Sequence, residues 1–266
     1  MLSVLLAVAL VIGGAGLAVR LLESRFAFFP QPGEQTTPAA FGVTYNAATI
    51  VTEDGERLHA WSLAHESPRA VVVYFHGNGG NLSVWAPVLV GIHRRGYTVH
   101  AVDYRGYGLS SGSPTERGLY RDVSAVVSWA ASQAQPNVPL LYWGRSLGGT
   151  MAASAATARR PHGVIVESGF PDVRAVLKGS TLGIIARLSS YRFPTAELLV
   201  RARTPVLVMH GDADRVVPFA AGRALFDRLP EPKRLVVLAG ADHNDLAPPD
   251  ETTYWQEIAA FADSVR

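Results

Sequence analysis

The chain has 266 residues, of which 48% are hydrophobic and 17% charged, enough to bury a large core and inconsistent with intrinsic disorder. Its formal net charge of +2 comes from scattered arginines rather than a basic stripe, so no nucleic-acid partner is expected. It has no cysteine, which excludes disulfides, thiolate catalysis and cysteine-ligated zinc or iron–sulfur sites.

The N-terminal run Leu2 to Val19 is uncharged and rich in Leu, Val, Ala and Gly, and it continues through Arg20 to Leu21 and Leu22. About 20 apolar residues suffice to cross a bilayer core, and Arg20 can snorkel to the interface. Residues 1–25 are therefore expected to form a single-pass N-terminal membrane anchor. A cleaved signal peptide is the alternative, although the basic n-region and an A-x-A site are missing. A buried helix of the globular domain is the third reading. Arg20 and Arg25 follow the run, so the positive-inside bias leans toward a cytoplasmic domain. Residues 26–44, with Pro30, Pro32, Gly33 and Pro38, read as a connector.

From residue 45 to 266 short apolar runs alternate with helical patterns. Strands are predicted at Thr49–Thr52, Arg57–Leu63, Ala70–Phe75, Thr98–Val102, Pro139–Trp143, Gly163–Val166, Val206–Met209 and Leu235–Leu238. Helices are predicted at Val84–Arg95, Thr115–Gln133, Leu147–Arg159, Phe219–Leu229 and Glu251–Val265. Runs such as Ala70–Phe75 are apolar throughout, as in strands covered on both faces. The alternation implies right-handed crossovers and a doubly wound, mostly parallel sheet of about eight strands. Pro171 to Arg203 is longer than an ordinary crossover. A small lid insertion over about 171–203 is expected, with an enlarged crossover packed on the sheet as the alternative.

The motif Gly144-Arg145-Ser146-Leu147-Gly148 matches G-x-S-x-G, follows an apolar strand and opens an Ala-rich helix. That context makes Ser146 a candidate nucleophile on a tight strand-to-helix turn. A serine needs a base and an acid that orients the base. The order Ser, acid, His is met by Asp214 after the strand Val206–Met209 and His243 after Leu235–Leu238. Both fall at carboxyl ends of strands. Asp212 is the rival acid. The loop His76-Gly77-Asn78-Gly79-Gly80-Asn81 follows the strand Ala70–Phe75. It lacks the ending of a P-loop and the spacing of a dinucleotide fingerprint. It is read as an oxyanion loop, with the amide of Leu147 as one donor and that of Asn78 as the other, Gly79 being the second choice. No metal site and no cofactor are expected; His210 and Asp212 have no evident third ligand.

These residues resemble the α/β-hydrolase superfamily from about Tyr45 to the C-terminus. More narrowly they resemble membrane-anchored serine hydrolases with a HGNxGN oxyanion loop, relatives of depalmitoylating thioesterases. The resemblance rests on His76–Asn81, Asp103–Gly112, Gly144–Gly149, Glu167-Ser168, and His210–Asp214 with Val217-Pro218. It implies the α/β-hydrolase fold, the triad Ser146, Asp214, His243, and hydrolysis of carboxylic esters or thioesters through an acyl-enzyme, on a small-molecule or lipid-like substrate. The Asp103–Gly112 stretch is expected to brace the oxyanion loop. A cofactor-free haloperoxidase-like enzyme and a non-catalytic scaffold on the same fold are the alternatives. Ester against thioester, acyl-chain length and oligomeric state are not readable from the sequence.

Overall fold

The computed structural model describes residue 14 and residues 23–177, 189–245 and 250–266. Nearly all of the anchor expected over 1–25, and the middle of the lid expected over 171–203, lie outside the described residues. The strands are β1 Phe29–Pro30, β2 Asn46–Val51, β3 Arg57–Leu63, β4 Val71–Phe75, β5 Gly79–Gly80, β6 Thr98–Val102, β7 Leu140–Arg145, β8 Gly163–Glu167, β9 Val206–Gly211 and β10 Lys233–Leu238. The helices are α1 Leu82–His93, α2 Glu116–Ser132, α3 Leu147–Ala158, α4 Val173–Leu177, α5 Thr195–Ala202, α6 Phe219–Arg228 and α7 Glu251–Ser264.

Eight strands form one sheet in the order β10-β9-β8-β7-β4-β6-β3-β2. Strand β3 runs antiparallel to both of its neighbours, and the other pairs are parallel. Because side chains alternate along a strand, the apolar runs feed two cores. Val73 and Phe75 of β4, Tyr142 of β7 and Val164 of β8 face one layer, which holds α2, α3, α5 and α6 residues such as Val123, Met151, Leu199 and Leu225. Val72 and Tyr74, Leu141 and Trp143, and Ile165 face the other, with Leu89 of α1 and Ile258 of α7. Both faces of the central strands are thus out of water, which is why their sequences are apolar up to their carboxyl ends.

Several boundaries differ from the sequence reading. Helix α1 begins at Leu82 because Asn81 caps it, its side chain accepting from the Val84 amide at 3.2 Å. Strand β7 runs on to Arg145 and β9 to Gly211, carrying polar residues that an apolar pattern does not count. His210 is buried there because its Nε2 meets the Val217 carbonyl at 2.8 Å. The residues read as a connector, 26–44, are part of the packed domain. Phe28 is buried in the core, and β1 pairs with β5 in parallel, Phe29 opposite Gly79 and Pro30 opposite Gly80.

Candidate functional site

The elbow forms where β7 turns into α3. Ser146 has φ 54° and ψ −118°, a strained conformation for a residue with a Cβ. Its amide donates to the Glu167 carbonyl at 2.8 Å, which ties the turn to β8. The glycines on either side are steric requirements. A Cβ on Gly144 would sit 1.9 Å from the Gly148 carbonyl oxygen, and a Cβ on Gly148 would sit 1.9 Å from that of Phe75.

Beyond the ends of β9 and β10 two loops bring Asp214 and His243 together. His243 Nδ1 and Asp214 Oδ2 are 2.8 Å apart. Asp214 Oδ1 accepts the amides of Val216 at 2.9 Å and Val217 at 2.7 Å, and His210 Nε2 lies 3.4 Å from Oδ2. Burial would raise the Asp214 pKa, but the bonds from His210 and His243 outweigh it and hold the carboxyl well below its usual range. Asp212 is exposed and accepts the Gly240 amide at 2.6 Å; it serves the turn rather than the imidazole. Asp242 pairs with Arg215 and accepts the His243 amide at 2.7 Å.

The loop after β4 and the elbow line the same cavity. Leu147 is the first residue of α3, so its amide has no intrahelical partner. The Asn78 amide donates to no protein acceptor among the described residues. Other groups hold Asn78. Its Nδ2 donates to the Ala27 carbonyl at 2.7 Å, and the Tyr107 hydroxyl reaches its carbonyl at 2.9 Å and its Oδ1 at 3.0 Å. Gly79, the second choice, lies in β5, and its carbonyl accepts from Trp85 Nε1 at 3.0 Å. The Asp103–Gly112 stretch braces this loop from below. Tyr104 donates to the His76 carbonyl at 2.8 Å, and Asp103 accepts the Leu82 amide at 2.9 Å.

Ser146, Leu147, Asn78 and His243 all line one cavity of about 730 Å³. Its other walls are largely apolar, including Phe170, Val173, Val176 and Tyr191. That combination of an apolar volume with a few convergent polar groups is the usual form of a small-molecule site. Among the described residues no group of His, Cys, Asp and Glu could hold a metal ion.

Two residues with no role in the sequence reading stand out. Arg145 and Glu167 are both buried, and Arg145 Nη1 lies 3.5 Å from Glu167 Oε1. Arg145 Nη2 donates to the carbonyls of His243 at 2.7 Å and Asp245 at 2.5 Å. Glu167 also accepts from Tyr254 at 3.2 Å. Burial alone would lower the Arg145 pKa, but Glu167 and its neighbours raise it, so the guanidinium stays charged. The signal in the sequence was a charge inside an otherwise small-residue motif, and a charge at the end of a buried strand.

A sheet of this order, with a strained serine between strand and helix and a histidine–aspartate pair at the strand ends, defines an α/β-hydrolase with a serine at its elbow. The family described as "Serine aminopeptidase, S33" matches residues 66–200 and 183–250. The chain belongs to that family of α/β-hydrolases. It is 32% identical to an uncharacterized protein of Mycobacterium tuberculosis, over 92% of this chain and 88% of that one. It is 31% identical to an uncharacterized membrane protein of Saccharomyces cerevisiae, over 85% and 82%. It is also 31% identical to a lysophosphatidylserine lipase of Danio rerio, over 64% of this chain and 50% of that one. Among solved structures, an esterase of Pyrococcus furiosus superposes with a TM-score of 0.71 at 18% identity, over 89% of this chain and 98% of that one. At that identity the likeness shows the fold alone.

Proposed function

We propose that this hydrolase cleaves carboxylic esters or thioesters through an acyl-enzyme. Ser146 attacks the acyl carbon. His243 takes the serine proton and later delivers it to the leaving group, and Asp214 fixes the imidazole and stabilises its charge. The amides of Leu147 and Asn78 receive the oxyanion, each such donor being worth about 2.7–4 kcal/mol. Water then repeats the sequence on the acyl-enzyme.

The observation that carries this reading is the 2.8 Å contact between His243 Nδ1 and Asp214 beside an apolar cavity that Ser146 and His243 share. The family is described as one of aminopeptidases. Such an enzyme has to hold a free amine close to the scissile bond. Among the described residues that line the cavity Glu23 is the one carboxylate, and it is occupied by Ser189 at 2.7 Å and the Ser190 amide at 2.9 Å. The apolar walls favour an acyl chain, in keeping with the lipase among the relatives. Fluorophosphonate should label the wild-type chain, and Ser146→Ala should remove the label. Labelling that survives in Ser146→Ala would sink the reading.

The same proposal places the enzyme at a membrane, held by residues 1–25. The apolar run Leu2 to Val19 and the membrane protein among the relatives support it. Among the described residues no helix is long and apolar enough to span a bilayer. The full chain should resist carbonate extraction from membranes, and recovery of the intact chain in the soluble fraction would refute the anchor.

A further inference from the structure

The cavity has a wall that does not come from the hydrolase sheet. Glu23, Phe26, Ala27 and Phe29 all line it, together with Val84 at the start of α1 and Val216 between β9 and α6. This N-terminal stretch is fastened at several points. Glu23 receives Ser189 and Ser190, the Ala27 carbonyl receives Asn78 Nδ2 at 2.7 Å, and Gln31 donates to the Gly80 carbonyl at 2.9 Å. Residues 23–31 are therefore built into the cavity and into the loop that carries Asn78.

Four apolar side chains that line this cavity are exposed. Phe26 is 74% exposed, Phe29 63%, Val216 52% and Val84 39%, although each lines the cavity. Large hydrophobic side chains that gather from three separate parts of the chain at one cavity are costly to leave in water, and such patches mark surfaces that meet an apolar partner. The sequence identifies the partner's chemistry. The uncharged run from Leu2 to Val19, followed by Leu21 and Leu22, joins this rim directly at Glu23. An aromatic and aliphatic rim continuous with a segment long enough for a bilayer core fits the interfacial zone of a lipid surface.

We propose that Phe26, Phe29, Val84 and Val216 form a lip that seats on a lipid bilayer, so that the acyl chain of the substrate passes from the membrane into the cavity without crossing water. The substrate class that follows is a long-chain acyl ester or thioester resident in a bilayer. This deepens the proposed function and rests on it for the acyl chemistry, but the seating of the lip is a separate physical claim.

Because the chain has no cysteine, single cysteines can report on the lip. Phe29→Cys, Val84→Cys and Val216→Cys, with Val51→Cys and Val237→Cys as exposed positions away from the cavity, would each carry an environment-sensitive fluorophore. The full chain is reconstituted in phosphatidylcholine vesicles containing nitroxide-labelled lipid. Quenching at Phe29, Val84 and Val216 should exceed that at Val51 and Val237 by about twofold or more, as expected for side chains within the headgroup zone. If Val84 and Val216 are quenched no more than Val51 and Val237, the lip does not seat on lipid, even with Phe29 quenched, because then only the stretch around Phe29 lies near the membrane. In a second measurement, Phe26→Ser with Phe29→Ser should lower the ratio of vesicle-borne long-chain ester turnover to soluble short-chain ester turnover by about tenfold, the loss of roughly 1.4 kcal/mol of interfacial binding. An unchanged ratio overturns the proposal. Failure of fluorophosphonate to label Ser146 would count against the hydrolase reading, while the quenching pattern would still decide the lip.

Discussion

Arg145, one residue before the elbow serine, donates from Nη2 to the backbone carbonyl of His243 at 2.7 Å, so a single buried guanidinium fastens the histidine loop to the nucleophile turn. The charge is balanced by Glu167, equally buried. Removing one partner leaves the other unpaired out of water, a loss of about 3–5 kcal/mol, whereas replacing both with apolar residues is often close to neutral. Arg145→Met should therefore destabilise the fold strongly, and Arg145→Met with Glu167→Met should recover more than half of that loss. The double variant should still show kcat reduced by about tenfold, because the carbonyls of His243 and Asp245 have lost their donor and misplacement of a catalytic group is costly. Thermal unfolding and ester kinetics on the same two proteins test this. Full recovery of kcat along with stability would reduce Arg145 to a packing role.

Asp214 and Asp212 sit two residues apart but face different tasks. Asp214 is buried under His210 and His243, and Asp212 is exposed and holds the Gly240 amide. Asp214→Asn keeps the shape but presents a neutral amide to Nδ1, which disturbs the tautomer; kcat should fall by about 10⁴-fold. Asp212→Asn should stay within about tenfold of wild type, since its change falls on a turn. Steady-state kinetics on both variants decides the matter, and a larger loss at Asp212 reverses the assignment.

Much of the architecture was open to reading because its cause is local. The central strands β4, β7 and β8 are covered on both faces, and that single condition writes itself into the apolar runs Val71–Phe75, Leu140–Trp143 and Gly163–Val166. The elbow was legible because steric contact at Gly144 and Gly148 leaves few alternatives. What escaped was long-range polar pairing. Nothing local in Arg145 tells that it reaches the carbonyls of His243 and Asp245. Likewise the prolines between 26 and 44 suggest a connector, while the pairing of Phe29 with Gly79 depends on a loop far along the chain. Backbone hydrogen bonds of that kind leave no residue-type signature.

His100, at the centre of β6, gives the fold its own pH dependence. Both ring nitrogens lack a partner among the described residues, and the ring packs edge-on to Trp129 with centroids 5.0 Å apart. Burial pushes its pKa down from 6.5 to about 4. Above about pH 6.5 the group is neutral in both states and its contribution is constant. As pH falls from 6.5 toward 4 the unfolded chain takes up a proton that the folded chain refuses, so stability declines, by on the order of 3 kcal/mol in all. Asp214, held below the usual carboxylate range, acts in the same direction only below about pH 4. Denaturant unfolding of wild type and His100→Leu between pH 7 and pH 4 should show a flatter profile for the variant. Parallel profiles would mean that His100 is not the titrating group.

The last prediction concerns the loop carrying Asn78. The proposed oxyanion donor there is a backbone amide, so no side-chain replacement deletes it. It can be reached through the group that holds it. The Tyr107 hydroxyl donates to Asn78 at its carbonyl, 2.9 Å, and at its Oδ1, 3.0 Å, while the ring is buried against His76 and Tyr104. Burial pushes the Tyr107 pKa well above its ordinary value, so at neutral pH it is a proton donor. Tyr107→Phe keeps the ring and removes the one hydroxyl proton that these two acceptors share, costing about 0.5–1.5 kcal/mol. Substrate binding draws on the apolar cavity and should change little. Oxyanion stabilisation, which matters only as charge develops, should suffer. Kcat is expected to fall by about tenfold with KM within about twofold, the pattern of a loss confined to the transition state. A rise in KM at constant kcat would show instead that Tyr107 shapes the cavity and leaves the position of the Asn78 amide untouched.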